Sequence, residues 1–172
     1  HLAPYVREHA AELAADMVLI SDTEMFDRGV PSLCYGLRGL AYMQIDLRGT
    51  KGDLHSGQYG GAVANPANVL GHIIAQLKDK SGTIKIPGFY DSVKRASEAE
   101  KKGFSESGFS VEGFRDALGL KSLRYQTVPE VTERIWALPT FEVHGISGGY
   151  QGEGIKTAIP PRAEAKVSMR LV

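Results

Sequence analysis

The sequence predicts an α+β fold, an antiparallel sheet with helices on one face. Three observations point there. Residues 163–172 alternate apolar and polar side chains, the period of a strand with one wet face. Residues 66–77 carry Val69, Leu70, Ile73, Ile74 and Leu77 as a stripe at helical spacing. From Gly36 onward the order is strand, helix, excursion, helix, strand, strand, which suits helices segregated to one side of an antiparallel sheet.

The elements follow in chain order. Residues 4–15 read as a helix, with Pro4 in its first turn and Val6, Ala10, Leu13 and Ala14 on one face. Met17-Val18-Leu19-Ile20 is a short apolar run, read as a strand buried on both faces. Leu40, Tyr42, Ile45 and Leu47 mark a long strand within residues 36–50. Residues 51–65 are glycine-rich and irregular, and Asn65 caps the helix that Pro66 begins. Beyond Ser81, Pro87-Gly88 makes a turn, the charged residues 91–102 a solvated helix, and the Gly/Ser/Phe stretch 103–114 a loop. Residues 128–137 form another helix: Thr127 and Glu130 have the spacing of a capping box, and Pro129 falls in the first turn. Thr140-Phe141-Glu142-Val143-His144 is a strand, residues 145–154 a loop, and residues 163–172 the last strand.

Bulk properties narrow the function. The 172 residues are 42% hydrophobic, enough for a real core. Twenty basic residues balance twenty acidic ones, so the chain lacks the electrostatic footprint of a nucleic-acid binder. The single cysteine, Cys34, excludes an internal disulfide and any multi-cysteine metal site, and fits a reducing compartment, read as the cytoplasm. No apolar run approaches the roughly 20 residues of a membrane span, and the first residues lack a signal-peptide pattern. The chain opens at His1 and stops at Val172 inside an alternating run; both ends read as cuts, and a piece of a larger protein is expected.

Four residues are candidates for chemistry. His55 lies between Asp53 and Ser56-Gly57, ahead of Gly60-Gly61; such small neighbours leave an imidazole open to donate to an oxyanion or bind a carboxylate. Taken alone, it reads first as a surface-loop histidine with no role. Asp22 follows the run 17–20, where α/β sheets present metal-binding and catalytic groups, or else it caps a turn with Thr23. Thr157 can hydrogen-bond a substrate or be a plain strand residue. Arg170 shares a face with Ser168 and Lys166; it can clamp a carboxylate in a bidentate fork or be an edge charge that resists aggregation.

Six runs in order resemble the carnosinase and succinyl-diaminopimelate desuccinylase family of two-metal peptidases. They are Ile20-Ser21-Asp22-Thr23, Tyr35-Gly36-Leu37-Arg38-Gly39, Asp53-Leu54-His55-Ser56-Gly57 with Gly60-Gly61, His144-Gly145-Ile146 with Gly148-Gly149, Lys156-Thr157-Ala158-Ile159-Pro160, and Ser168-Met169-Arg170-Leu171-Val172. They are most similar to the carnosinase-like dipeptidase branch. The resemblance implies a ferredoxin-like lid and dimerisation domain, a four-stranded antiparallel sheet with two helices on one face, over residues 36–172. A helical and loop insertion falls at about 81–125, and residues 1–35 are a helix–strand remnant of the catalytic domain. It implies a homodimer, a dipeptide or N-acyl amino acid substrate, and two zinc or manganese ions in the parent protein. It matches Asp22 to a metal ligand and His55 to the histidine that reaches the partner subunit's site and stabilises the oxyanion. Thr157 and Arg170 match substrate-binding positions, Arg170 on the terminal carboxylate.

The family's His-x-Asp pair and Glu-Glu pair are missing from the sequence. A two-metal site needs about five protein ligands, so the chain alone is expected to hold no metal pair and to be inactive. No His-x-x-x-His pair supports a self-contained zinc hydrolase. The remaining alternative is a non-catalytic dimerisation or binding module that shares the lid fold.

Overall fold

A computed structural model describes residues 2–19, 22 and 25–172. The chain divides into two compact units, His1–Leu37 and Arg38–Val172.

In the first unit, helix α1 spans Leu2–Glu8 and continues as hydrogen-bonded turns, His9 N to Tyr5 O at 3.0 Å and Leu13 N to His9 O at 2.9 Å. The Tyr5 ring stacks on His9, and His9 Nδ1 meets Glu12 Oε2 at 2.8 Å. The strand expected at residues 17–20 does not form over its described part. Met17, Val18 and Leu19 have no regular structure and are 84%, 76% and 87% exposed. A strand needs a hydrogen-bonding neighbour, and among the described residues none pairs with this run. Ile20 lies outside the described residues.

The second unit holds the sheet. Strand β1 (Gly39–Arg48) leads through the short β2 (Leu54–His55) and a single turn, α2 (Ser56–Tyr59), to helix α3 (Pro66–Leu77). Helices α4 (Glu98–Ser105), α5 (Val111–Ala117) and α6 (Val128–Thr132) follow, with a π-helical turn at Glu133–Ala137. Strands β3 (Thr140–Gly148), β4 (Ala158–Ile159) and β5 (Arg162–Leu171) complete it.

The main sheet is three-stranded and antiparallel, in the order β1-β5-β3, with Gly39 opposite Leu171 and Thr140 opposite Arg170. The expected four-stranded sheet is thus corrected: β2 and β4 form a separate two-stranded ribbon, with Leu54 opposite Ile159 and His55 opposite Ala158. Pro160-Pro161 between β4 and β5 explains the split, because neither residue has an N–H with which to carry a ladder onward.

Alternation along β5 works as the sequence predicts. Ala163, Ala165, Val167 and Met169 point into the core with Phe141, Leu70 and Ile84, all at most 4% exposed. The stripe of α3 supplies Leu70, backed by Ile74 and Leu77. Asn65 caps α3, its side chain accepting from Ala67 N at 2.9 Å. The Glu130 carboxylate accepts from both the amide and the hydroxyl of Thr127, as the capping-box spacing predicts.

The excursion is more ordered than its composition suggests. The charged helix begins at Glu98, where Ser97 and Glu100 form a capping box, and not at residue 91. The stretch 103–114, read as a loop, contains the end of α4 and the start of α5, which Ser110 Oγ caps at Gly113 N, 2.9 Å. Phenylalanines account for the difference: Phe104 and Phe109 pack edge-on against Trp136, and Phe109 against Phe114. No helix among the described residues is long and apolar enough to cross a membrane.

Candidate functional site at the ribbon of His55 and Thr157

The ribbon β2–β4 brings two of the four sequence candidates together. His55 ends β2 opposite Ala158, and the next amide, Ser56 N, donates to Thr157 O at 3.0 Å. Both side chains are exposed.

The imidazole of His55 is held by its own backbone. His55 is the N-cap of α2, and its Nδ1 accepts from Gly57 N at 3.0 Å. An Nδ1 that accepts carries no proton, so the neutral ring bears its hydrogen on Nε2 and presents that atom as a donor. Glycines make this turn possible. A Cβ at Gly60 would lie 2.4 Å from Ser56 O, and one at Gly57 would lie 2.9 Å from His55 Cε1. The small neighbours noted in the sequence therefore leave room for the ring's own tight turn.

Opposite charges flank the pair. Lys156 Nζ lies 2.5 Å from Asp53 Oδ2 and 5.8 Å from the Tyr150 ring. The carboxylate bond and charge hold the Lys156 ammonium above its ordinary pKa. Asp53, Lys156, Tyr150 and Arg162 line an open cleft of about 350 Å³ under the loop 145–154. Gly148, Gly149 and Gly154 have positive φ in this loop, which closes on itself as Tyr150 OH donates to Glu153 O at 2.7 Å.

Arg170 is elsewhere. It lies near the end of β5, between Leu40 of β1 and Thr140 of β3, and is exposed. Eight residue steps of strand separate it from Arg162, where β5 leaves the ribbon, a run of about 26 Å at the ~3.3 Å rise of a strand. Its neighbour is Arg38, half-buried, whose Nη1 donates to Leu138 O at 3.1 Å. Burial, and then the charge of Arg170, lower the Arg38 pKa. Asp22 belongs to the first unit, exposed and without regular structure. Among the described residues no three His, Cys, Asp or Glu side chains converge to hold a metal ion. A single carboxylate does not fit a two-ion centre, which needs about five protein ligands.

Sequence reasoning missed three groups. Arg38 stood in a quoted motif without a role. The Asp53–Lys156 pair joins positions 103 apart in sequence, so only the pairing of β2 with β4 reveals it. His144 sits at a β-bulge, where the register shifts between Val143 and Gly145, and its Nε2 reaches Ser168 Oγ. No spacing in the sequence signals a bulge there.

The geometry is that of a helix-backed antiparallel sheet, with His55 on a separate two-stranded ribbon and Arg170 near the far end of the middle strand. The chain belongs to the peptidase dimerisation domain family of the M20 peptidases, whose family model matches residues 35–172. It is 38% identical over 157 residues to the Cys-Gly metallodipeptidase DUG1 of Candida albicans, covering 91% of this chain and 32% of that protein. It is 32% identical to the human Beta-Ala-His dipeptidase over 91% of this chain and 31% of that one. Among solved structures, the M20 family metallo-carboxypeptidase Sso-CP2 from Sulfolobus solfataricus superposes with a TM-score of 0.86 at 35% identity, over all of this chain and 45% of that one. The resemblance read from the six runs is thereby borne out. The chain spans about a third of the length of the curated relatives it matches.

Proposed function

We propose that this chain is the lid and dimerisation segment of a cytoplasmic, metal-dependent peptidase, a hydrolase that cleaves the amide bond of a dipeptide or N-acyl amino acid. In this reading residues 36–172 form the lid, residues 1–35 belong to the catalytic domain, and Asp22 contributes one ligand to a two-ion zinc or manganese centre. His55 donates from Nε2 to the scissile carbonyl oxygen as it gains charge, Thr157 hydrogen-bonds the substrate beside it, and Arg170 holds the free carboxylate.

The observation that carries the reading is the pairing of β2 with β4, which sets His55 opposite Ala158 and joins Ser56 N to Thr157 O, with His55 Nδ1 committed to Gly57 N and Nε2 left as donor. The separation of Arg170 supports action across subunits. An extended dipeptide spans about 7 Å, far less than the strand between Arg162 and Arg170. In a two-fold homodimer, His55 and Thr157 of one copy meet a substrate that Arg170 of the other copy holds.

Complementation tests this. Full-length protein carrying His55→Ala is mixed with full-length protein lacking its catalytic base. Mixed dimers are expected to regain dipeptide hydrolysis, and no recovery at any mixing ratio counts against His55 acting in trans. The isolated chain is expected to be inactive, and metal-dependent hydrolysis by it would contradict the reading.

A further inference from the structure

The ribbon that carries His55 and Thr157 has two rungs, Leu54 with Ile159 and His55 with Ala158. So short a ladder is marginal by itself. Glycines flank it on both sides, Gly52 and Gly57 around β2 and Gly152 and Gly154 ahead of β4, and add backbone freedom. A side-chain contact between Asp53 and Lys156 spans it. Asp53 precedes the Leu54–Ile159 rung, whereas Lys156 lies beyond the His55–Ala158 rung, so their ion pair runs lengthwise over both. Its two members are each within two residues of a candidate substrate group.

We propose that the Asp53–Lys156 ion pair is a positioning brace that fixes the reach of His55 and Thr157, an inference that rests on the function proposed above for those two residues. Neither charge touches substrate. Asp53 anchors the strand that presents the imidazole, and Lys156 anchors the segment that presents the Thr157 hydroxyl. Tyr150 extends the brace into the loop 145–154: its ring lies within cation–π range of Lys156 and packs over Gly152, where a Cβ would meet the Tyr150 hydroxyl oxygen at 2.6 Å. A donor to a developing oxyanion works only within tenths of an ångström of the right place, so a loosened ribbon slows the chemical step more than it weakens binding.

The test is a double-mutant cycle on dipeptide hydrolysis by the full-length enzyme. Asp53→Asn and Lys156→Met are each expected to lower kcat about tenfold while KM moves less than about twofold. The double variant is expected to be no slower than either single one, because the second change finds no contact left to break. Lys156→Arg and the exchanged pair Asp53→Lys with Lys156→Asp are expected to recover most of the rate. Both positions are exposed, so melting temperatures should move little. His55→Ala is the reference. Loss of activity in His55→Ala with full kcat in both single variants overturns the brace and leaves the role of His55 standing. Additive losses in the double variant, or no recovery on exchange, also overturn it. Unchanged activity in His55→Ala instead removes the reading on which the brace depends.

Discussion

The His144 imidazole Nε2 lies 2.6 Å from the hydroxyl of Ser168, a side chain only 6% exposed on the helix-free face of the middle strand. The bulge after Val143 turns His144 toward Ser168, and the Tyr42 ring lies 6.2 Å from the imidazole. The contact ties edge strand β3 to β5 on the side the helices do not cover. Ser168→Ala is expected to destabilise the fold by about 1 kcal/mol, the net worth of a typical hydrogen bond. Urea unfolding measures it, and an unchanged midpoint would show that the contact contributes nothing.

Among the described residues Phe141 is the largest fully buried side chain, packed with Leu70, Ile84 and the inward residues of β5. Phe141→Ala is expected to cost about 3–5 kcal/mol, from lost transfer energy and the cavity left behind. A loss that size consumes much of a typical domain's stability, so reduced yield and a lower melting temperature are the expected readouts.

Gly60→Ala should act at a distance from substrate. Its Cβ would sit 2.4 Å from Ser56 O, so the turn after His55 must shift. In the full-length enzyme the expected result is a kcat lowered about tenfold or more. Normal kcat would mean that the turn does not set the imidazole's position.

Arg170→Ala tests the carboxylate clamp. Hydrogen bonds to charged groups contribute about 1.5–3 kcal/mol, so KM for a substrate with a free carboxylate is expected to rise about 10- to 100-fold. An amidated substrate should lose nothing further, and an equal loss on both substrates would exclude the clamp.

Acid stability depends on Asp79, in the turn after α3. Its carboxylate accepts from the Ser81 hydroxyl and amide and from Thr83 N, which hold its pKa down to about 2 from an ordinary 3.8. Because the folded value is depressed, the stabilisation is fully present above the ordinary value and is lost as pH falls through about 2. Asp79→Asn is therefore expected to flatten the stability profile between about pH 4 and pH 2, read by urea unfolding across that window.

What the sequence made legible follows from locality. The cap at Asn65, the capping box of Thr127 with Glu130, the stripe of α3 and the alternation of β5 are each settled by residues within one or two turns. The box of Ser97 and Glu100 was equally local, but the run of charge from residue 91 masked where the helix starts. The β2–β4 ribbon was not readable, since a two-residue strand has no period. The apolar run 17–19 has the composition of a buried strand, yet composition cannot supply the neighbour a strand needs. The site divides along the same line. Glycines around His55 marked it as unusual, whereas its nearness to Thr157 depends on pairing across about a hundred residues.

The placement of β5 between β1 and β3 has a kinetic consequence. Neither outer strand pairs with the other, so the sheet cannot assemble until residues 162–171 are available to both. The helices can form early, since their contacts are local, but β1 must wait for a partner more than a hundred residues further along the chain. Until then Leu40, Tyr42 and Met43 stand on an unpaired strand, which makes this stage of folding the one most open to wrong associations.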